Sequence, residues 1–319
     1  MIYAVVLFLS FILTYFIKNL AIKKSLLDIP NERSSHTLPT PHGGGIAIAI
    51  SWFFGISYLY FIDDIDTQLY YTLLVGIVIS VVSYLDDLYE LSPKVRLFTQ
   101  SFVAFAGLYF LGGLEKIDFI FFTIENQIFT NLFAFFLIVW FINLYNFLDG
   151  IDGYAGSQAI FLALAGFLLF GGHHFLVLIF AVFGFLIWNW HRAKIFMGDV
   201  GSTLLGYNIA VFTLYYANQA SQNLWIWIIL FGVFWYDATL TLYRRYKNDE
   251  RLSLAHKKHA YQRVTQAGFA HDRVVLFAMG VNLLLLSFVL FVSNMALALI
   301  IALLVLHASV VYVDKKKRF

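Results

Sequence analysis

Long apolar runs dominate the sequence, and short polar stretches separate them. A helix needs about 20 apolar residues to cross the hydrocarbon core of a bilayer. Eleven runs come close to that length, at residues 2–22, 43–62, 69–85, 97–114, 130–147, 156–172, 174–190, 202–218, 223–243, 273–293 and 295–313. We therefore predict an all-α fold, a polytopic membrane helical bundle of ten or eleven transmembrane helices. The number depends on whether Ser293 and Asn294 form a turn or lie within one long helix.

The composition excludes a soluble protein. Hydrophobic residues make up 61% of the 319 residues and charged residues 13%, whereas soluble domains are about half apolar and about a quarter charged. The first run has no basic residue before it and no cleavage pattern, so it is predicted to stay as a span. The chain has no cysteine, which excludes disulfides and thiolate chemistry. We expect one integral membrane domain over residues 1–319, with no nucleic acid as a partner.

The positive charges lie almost entirely on one side of the predicted topology. Twenty of the 21 lysines and arginines fall in alternate connections and in the C-terminal tail, and only Lys116 falls on the other side. Cytoplasmic loops of membrane proteins carry an excess of lysine and arginine. We therefore expect these connections and the C-terminus to be cytoplasmic and the N-terminus to be outside.

Residues 143–156 place a dense group of polar residues at the end of an apolar run. Asn143 and Asn146 are three apart and share a helix face, and Asp149 and Asp152 repeat that spacing. Asn, Asp and Gly are also ordinary turn residues, but a turn needs two or three of them and this stretch has seven in fourteen. Because polar groups beside a membrane interior are costly, we interpret the stretch as functional.

Two further acidic motifs fall on the same predicted side. Asp86 and Asp87 end the third run, and adjacent carboxylates repel one another unless a cation lies between them. Mg²⁺ binds one or two carboxylates together with substrate phosphates, and Lys94 would add a phosphate contact. Asp199 precedes the eighth run, in which Ser202 is a candidate N-cap. Each motif alone is more simply a cap or a solvated loop, but their common side favours a metal and phosphate site.

Two loops on that side carry histidines. His256 and His259 are three apart in a basic segment, which suits anion binding or proton transfer. A basic loop beside lipid headgroups is the plain alternative, and a zinc site ranks last because no further ligands cluster there. His36 lies in a loop that precedes three glycines at residues 43–45, and it is a further candidate donor.

Five motifs in this order resemble those of the polyprenyl-phosphate N-acetylhexosamine-1-phosphate transferases, the MraY/WecA group of glycosyl transferase family 4. Residues 85–87 resemble the family's aspartate-rich motif. Residues 143–155 follow its Asn-x-x-Asn-x-x-Asp-Gly-x-Asp-Gly pattern, with Tyr154 where leucine is commoner. Residues 196–202 match its Phe-Met-Gly-Asp-x-Gly-Ser motif at every position. The resemblance runs through nearly the whole chain.

The resemblance implies a reaction, a cofactor and a location. A UDP-activated N-acetylated sugar and undecaprenyl phosphate would give undecaprenyl-diphospho-sugar and UMP, with Mg²⁺ as the cofactor and Mn²⁺ as an alternative. The implied fold is a helical bundle with a cytoplasmic active-site cleft in a bacterial cytoplasmic (inner) membrane. A homodimer is left open.

The resemblance also suggests roles for the polar residues. Asp199 is the expected metal ligand, with Asp87 assisting, and Asp86 is expected to orient or deprotonate the acceptor phosphate. The other candidates share contacts with the nucleotide, the diphosphate, the sugar and the acceptor. They are Asn143, Asn146, Asp149, Asp152, Asn189, Lys94, His256, His259, Arg263 and His36.

The histidine motif departs from the family pattern. Many relatives carry His-x-His-His, whereas residues 256–259 read His-Lys-Lys-His. This form is similar to members that start O-antigen or related surface polysaccharides, and it leaves the N-acetylated sugar open. An ion-coupled transporter is the main alternative, because membrane-embedded Asp and Asn beside broken helices also mark carriers. Another lipid-phosphate phosphotransferase is the second. Against a carrier, the acidic groups fall at predicted helix ends, and no inverted repeat is visible.

Overall fold

The structure is a computed structural model, and it describes residues 1–30, 38–119, 122–252, 254 and 256–319. These residues form α-helices and two short antiparallel strand pairs, β1 with β2 and β3 with β4. In chain order, the elements are α1 (Ile2–Lys23), β1 (Leu27–Asp28), β2 (Thr40–Pro41), α2 (Gly45–Phe61), α3 (Thr67–Leu74), α4 (Gly76–Tyr89), α5 (Pro93–Leu111), β3 (Ile117–Asp118), β4 (Thr123–Ile124), α6 (Gln127–Phe147), α7 (Tyr154–Phe170), α8 (His173–Asn189), α9 (Asp199–Gln219), α10 (Asn223–Leu230), α11 (Gly232–Lys247), α12 (Ala260–Gln266), α13 (His271–Phe291) and α14 (Met295–Lys316).

The predicted all-α membrane bundle is confirmed. Each of the eleven predicted spans coincides with a helix or with a pair of consecutive helices. Among the described residues, five spans are long and apolar enough to cross a membrane by themselves, and a sixth is added if α10 and α11 count as one span bent by 72°. The last two predicted spans are separate helices, because Asn294 caps α14 through its side chain, which accepts from the Leu297 amide.

Helix α9 lies at the centre of the bundle. It packs against α2, α3, α4, α5, α6, α7 and α10, and it is buried along nearly its whole length. Small residues permit this close packing: a Cβ on Gly206 would lie 2.6 Å from the Phe141 carbonyl oxygen of α6. The Thr203 hydroxyl also lies 2.9 Å from the Ser83 hydroxyl of α4. The centre of the bundle therefore fixes the position of the first residue of α9, Asp199.

In contrast to the buried helix α9, the helices α13 and α14 lie at the periphery of the bundle. Their exposed side chains are mostly large and apolar, among them Leu276, Phe277, Leu283, Leu297, Ile300 and Leu304. In a multi-pass membrane protein such faces meet lipid, so their exposure is the expected state.

The start of α9 differs from the sequence prediction. The eighth span was expected to begin at residue 202 with Ser202 as its N-cap, whereas the helix begins at Asp199 after Gly198. Gly198 has a φ of +76°, a backbone conformation that glycine adopts without strain. Ser202 lies inside the helix, and its hydroxyl donates to the Asn146 side-chain oxygen at 3.2 Å.

A backbone contact joins the start of α2 to the loop before α9. The Gly44 amide donates to the Phe196 carbonyl at 2.9 Å, and the Gly45 amide donates to the Met197 carbonyl at 2.8 Å. A Cβ on Gly45 would lie 2.2 Å from the Gly201 nitrogen, so only glycine fits there. The glycines at positions 44 and 45 therefore allow the two backbones to approach closely. His36 lies outside the described residues.

Candidate functional site

The predicted acidic motifs meet at one end of the bundle. The end of α4, the end of α6 and the start of α9 bring together Asp86, Asp87, Asn146 and Asp199, and Arg96 of α5 joins them. We call these five residues the carboxylate cluster. The same end carries the loops 148–153 and 190–198 and the start of α13.

Asp86 already has partners at both carboxylate oxygens. Its Oδ2 lies 2.7 Å from Arg96 Nε, and its Oδ1 accepts from the Leu91 amide at 2.7 Å. The Asp86 side chain is 5% exposed and that of Arg96 is 46% exposed. The pair therefore presents a guanidinium, held by a buried carboxylate, towards the solvent side of the cluster.

Asp87 has one oxygen without a partner. Its Oδ1 accepts from the Asp199 amide at 3.4 Å, but its Oδ2 is buried and has no hydrogen-bond partner among the described residues. A Cβ on Gly198 would lie 3.0 Å from this Oδ2, so glycine leaves the space above the oxygen open. A buried anionic oxygen without a donor is costly, and a divalent cation would remove that cost.

Asp199 and Asn146 line a small cavity of about 30 Å³ together with Asp86 and Arg96. This volume suits a bound ion or one or two water molecules. The nearby oxygen atoms belong to carboxylate and amide groups, which are ligand types that Mg²⁺ prefers. Asp199, which the sequence offered as a metal ligand, lines the cavity and therefore fits such an ion; Asp87, the other predicted ligand, does not line the cavity and is joined to Asp199 through the amide contact.

Two predicted contacts, Asn143 and Asn189, are engaged within the protein. Asn143 Nδ2 donates to Gln100 Oε1 and to the Val139 carbonyl, both at 2.7 Å. Asn189 accepts from the Gly153 amide at 3.0 Å and donates to the Ile195 carbonyl at 2.9 Å, which joins the loops 148–153 and 190–198. Both amides position parts of the site, and their contact with a substrate stays a prediction.

Asp149 lies in the loop 148–153, beside the carboxylate cluster. Burial raises the pKa of its carboxyl well above the usual range, and the nearby charges of Asp199, Asp87 and Asp152 raise it further. The group therefore favours the protonated form, and a bound cation or a cationic ligand would favour the carboxylate.

Asp152 is three residues further on and has a different environment. Its Oδ2 lies 3.0 Å from His191 Nδ1 and 3.2 Å from His271 Nδ1, and it accepts from the Ala193 amide at 3.2 Å. Although burial opposes ionisation, His271, His191 and the amide together lower the pKa of Asp152. We call Asp152, His191 and His271 the histidine–aspartate cluster.

The basic histidine loop lies between α11 and α13, at the same end of the bundle. Arg245 is buried and holds this loop through Glu250 and the carbonyls of residues 251, 252 and 254. His259 is also buried, and its Nδ1 lies 3.7 Å from Asp237 Oδ1. His256 accepts from the Lys258 amide at Nδ1. Burial is the main reason that its pKa is lowered to about 4.

Arg263 and Lys94, both predicted phosphate contacts, have opposite environments. Arg263 is buried and donates to Asp314 at 2.6 Å and to the Lys317 carbonyl at 2.9 Å, so the C-terminal segment occupies its guanidinium. Lys94 is exposed at the start of α5.

Sequence reasoning missed the two histidines that contact Asp152. They are 39 and 119 residues away from it along the chain, so no local spacing pairs them. A weak local signal was present for His191, because it lies two residues after the candidate Asn189. The pairing of Arg96 with Asp86 was not predicted either.

These features define a class: a multi-pass membrane protein with an oxygen-rich polar site at one end of its helical bundle. The profile of glycosyl transferase family 4 matches residues 69–217, which contain Asp86, Asp87, Asn146 and Asp199.

Three relatives extend this match over most of the chain. The chain is 34% identical over 281 residues to a probable undecaprenyl-phosphate N-acetylglucosaminyl 1-phosphate transferase of Bacillus subtilis, covering 83% of this chain and 76% of the relative. It is 30% identical over 317 residues to a decaprenyl-phosphate N-acetylglucosaminephosphotransferase of Mycobacterium tuberculosis, with the same coverage. It is 30% identical over 300 residues to an undecaprenyl-phosphate alpha-N-acetylglucosaminyl 1-phosphate transferase of Escherichia coli O157:H7, covering 85% and 77%. The chain therefore belongs to glycosyl transferase family 4, and the resemblance in its motifs is confirmed.

Proposed function

We propose that this protein transfers an N-acetylated sugar-1-phosphate from a UDP-sugar to undecaprenyl phosphate, giving undecaprenyl-diphospho-sugar and UMP. The carboxylate cluster is the observation that carries this proposal, above all the buried Asp87 Oδ2 beside Asp199. The names of the relatives in Bacillus subtilis and Escherichia coli support the acceptor and the type of transfer. We further propose that the product starts O-antigen or a related surface polysaccharide at the cytoplasmic face of a bacterial inner membrane.

The reaction exchanges one phosphorus–oxygen bond for another. An oxygen of the lipid phosphate attacks the sugar-bearing phosphorus of the donor. The bond from that phosphorus to the bridging oxygen breaks, and UMP leaves with the bonding electrons. Phosphoryl transfer of this kind depends on positioning and charge compensation more than on covalent chemistry by the protein.

Asp87 and Asp199 would hold Mg²⁺, with the small cavity beside Asn146 available for its remaining ligands. Bound there, Mg²⁺ supplies positive charge that offsets the phosphates and the developing charge on UMP. The two carboxylates match the usual number for a magnesium site that is completed by substrate phosphates.

The other residues bind and orient the two substrates. Arg96, held by Asp86, offers its guanidinium to the acceptor phosphate, which makes Asp86 an orienting residue. Asn146, which accepts from Ser202, faces the same cavity and fixes the donor phosphates. Asp149 and Asp152 line the donor side, and His256 and His259 contact the sugar or the diphosphate from the basic loop.

The test uses the full-length protein, purified in detergent, with undecaprenyl phosphate, Mg²⁺ and a panel of UDP-N-acetylated sugars. UMP release is measured for the wild type, for Asp199→Asn and for the matched control Asp63→Asn, which changes an acidic residue of the loop between α2 and α3. We expect Asp199→Asn to lose about 10³-fold or more in rate and the control to keep wild-type activity.

Two results would contradict the proposal. Near-normal UMP release by Asp199→Asn would remove Asp199 from the site. A wild-type protein that releases no UMP with any donor, but that takes up substrate when reconstituted in vesicles, would favour a transporter.

A further inference from the structure

The histidine–aspartate cluster joins three segments that are far apart in sequence. Asp152 lies in the loop 148–153, His191 in the loop 190–198, and His271 is the first residue of α13. Their ligand atoms, one from each residue, all lie within 4.8 Å of one another. Among the described residues, this is the one group of three or more histidines and acidic residues that converges in this way. It shares no residue with the carboxylate cluster.

One ring nitrogen of His271 contacts both the backbone amide and the carboxylate of Asp152. Its Nδ1 lies 3.3 Å from the Asp152 amide nitrogen. The same Nδ1 lies 3.2 Å from the Asp152 Oδ2. A proton or a metal cation on this nitrogen would join it to the carboxylate.

The Asp152 Oδ2 is also approached by more nitrogens than its lone pairs can serve. His191 Nδ1, His271 Nδ1 and the Ala193 amide all lie within 3.2 Å of it. A carboxylate oxygen offers two lone-pair directions. If a cation joined this oxygen to both imidazoles, the Ala193 amide would still donate a hydrogen bond to the coordinated carboxylate. Ligating carboxylates usually accept such an outer-shell hydrogen bond.

The separations between the ligand atoms suit a four-coordinate ion. Zinc binds histidine nitrogen and carboxylate oxygen at about 2.0–2.2 Å, so neighbouring ligand atoms of a tetrahedral site are about 3.3 Å apart. The two measured distances from Asp152 Oδ2 to the histidines, 3.0 and 3.2 Å, need a change of only a few tenths of an ångström. On binding the ion, His271 Nδ1 would lose its 3.3 Å contact with the Asp152 amide.

We propose that Asp152, His191 and His271 form a second cation site, which binds Zn²⁺ or a similar borderline divalent ion and is distinct from the proposed Mg²⁺ site. Imidazole ligands favour such ions, whereas Mg²⁺ takes oxygen ligands. Three protein ligands leave a fourth position free. His191 and His271 also line a cavity of about 300 Å³ together with Lys257, so water or an anionic ligand can approach these two histidines.

A cation at this site would hold the loops 148–153 and 190–198 against the start of α13. Asp152 and His191 belong to two loops that Asn189 also joins, and His271 adds the helix that follows the basic loop. By joining these three segments, the ion would fix the position of the loop that carries Asp149. The proposal rests on the geometry of these three side chains and holds whether or not the proposed transfer reaction is correct.

The experiment measures metal binding directly. Full-length protein in detergent is stripped with a chelator, and Co²⁺ is then titrated in the presence of excess Mg²⁺. We expect one equivalent of Co²⁺ with the visible absorption of a four-coordinate cobalt–imidazole complex, and Zn²⁺ should displace it. His191→Ala and His271→Ala should each weaken binding by more than the roughly 100-fold that the loss of an outer-shell partner costs.

The controls separate this site from other effects. His173→Ala is the matched control, because His173 contacts the Asp64 carboxylate in a pair that lacks a third ligand; it should bind Co²⁺ as the wild type does. Asp199→Asn should abolish transfer and leave cobalt binding intact, which keeps failure of the two proposals distinguishable. If an alanine variant does not fold, His191→Gln or His271→Gln is used in its place. Gel filtration then checks that the glutamine variant is folded. A wild type with no such absorption, or a His271 variant with unchanged affinity, would overturn the proposal.

Discussion

The two clusters at this end of the bundle balance negative charge in opposite ways. In the carboxylate cluster, three aspartates share one guanidinium, and the Asp87 Oδ2 has no partner among the described residues. In the histidine–aspartate cluster, one aspartate has two imidazoles and an amide around a single oxygen. The first arrangement leaves one carboxylate oxygen without a hydrogen-bond partner, and the second surrounds one carboxylate oxygen with three nitrogens.

Asp149 and Asp152 show the consequence within one loop. Burial and neighbouring carboxylates raise the pKa of Asp149, whereas imidazoles and an amide lower that of Asp152. Environments that push two pKa values apart commonly separate the roles of two acidic groups. The carboxylate cluster is therefore suited to receive cations and phosphates, and the histidine–aspartate cluster keeps Asp152 in the ionised form that a metal ligand needs.

The largest expected effect distinguishes the two adjacent aspartates of the carboxylate cluster. Asp87→Asn should lower the rate of UMP release by about 10³-fold, because a lost metal ligand removes several kcal/mol of transition-state stabilisation. Asp86→Asn should cost only about 10–100-fold, because Asp86 acts through Arg96. The rates are measured at saturating Mg²⁺ and saturating donor.

The Arg96→Ala variant serves as the control for that comparison. If Asp86 acts through Arg96, then adding Asp86→Asn to Arg96→Ala should change the rate little further. A loss with Asp86→Asn as large as that with Asp87→Asn would place Asp86 directly at the reacting phosphate instead.

An intermediate effect is expected on stability, with opposite signs at Asp149 and Asp152. Because the pKa of Asp149 is raised on folding, the folded protein keeps this proton to a higher pH than the unfolded chain does. The free energy of unfolding therefore falls as the pH rises above the usual carboxyl pKa of about 4. Asp149→Asn removes that loss and should raise the thermal midpoint at pH 7.5 by roughly a few degrees.

Asp152 should behave in the reverse way. Its pKa is lowered on folding, so its ionised form stabilises the protein above a pH of about 4, and that stability is lost as pH falls through the lowered pKa. Asp152→Asn should lower the midpoint at pH 7.5, since hydrogen bonds to a charged group contribute about 1.5–3 kcal/mol each. Thermal melts of both variants in detergent at pH 5 and 7.5 provide the measurement. A shift in the same direction for both would show that the two environments do not differ as described.

The smallest effect concerns His256. Because burial and the nearby His259 and Arg245 lower its pKa to about 4, His256 is neutral at neutral pH. The shape of the pH–rate profile between about pH 5.5 and 8.5 should therefore be the same in His256→Gln as in the wild type, even if the rate falls. Loss of a limb of the profile near pH 6.5 in the variant would show that His256 titrates during turnover.

Stability offers a second check on His256. The unfolded chain takes up a proton on this histidine near pH 6.5, whereas the folded protein does so only near pH 4. The wild type should therefore lose stability as pH falls from about 6.5 towards 4, and His256→Gln should lose less over that range.

Local sequence determined the bundle and most of the carboxylate cluster. The apolar runs are set by the thickness of a bilayer, so their lengths alone predict the helices. Asp86, Asp87, Asn146 and Asp199 stand at the ends of those runs, and alternating spans return such ends to one side of a membrane. The break between α10 and α11 was not predicted, since the 223–243 run has no proline and reads as continuous.

Tertiary structure alone decided how each of these charges is balanced. Asp86 and Asp87 are neighbours with the same chemistry, yet Arg96 neutralises one of them and Gly198 leaves the space above the other open. Asp149 and Asp152 belong to one repeat in the sequence, yet only Asp152 is reached by His191 and His271. A side chain's charge balance depends on groups within a few ångströms, and in this fold those groups come from residues up to 119 positions away along the chain.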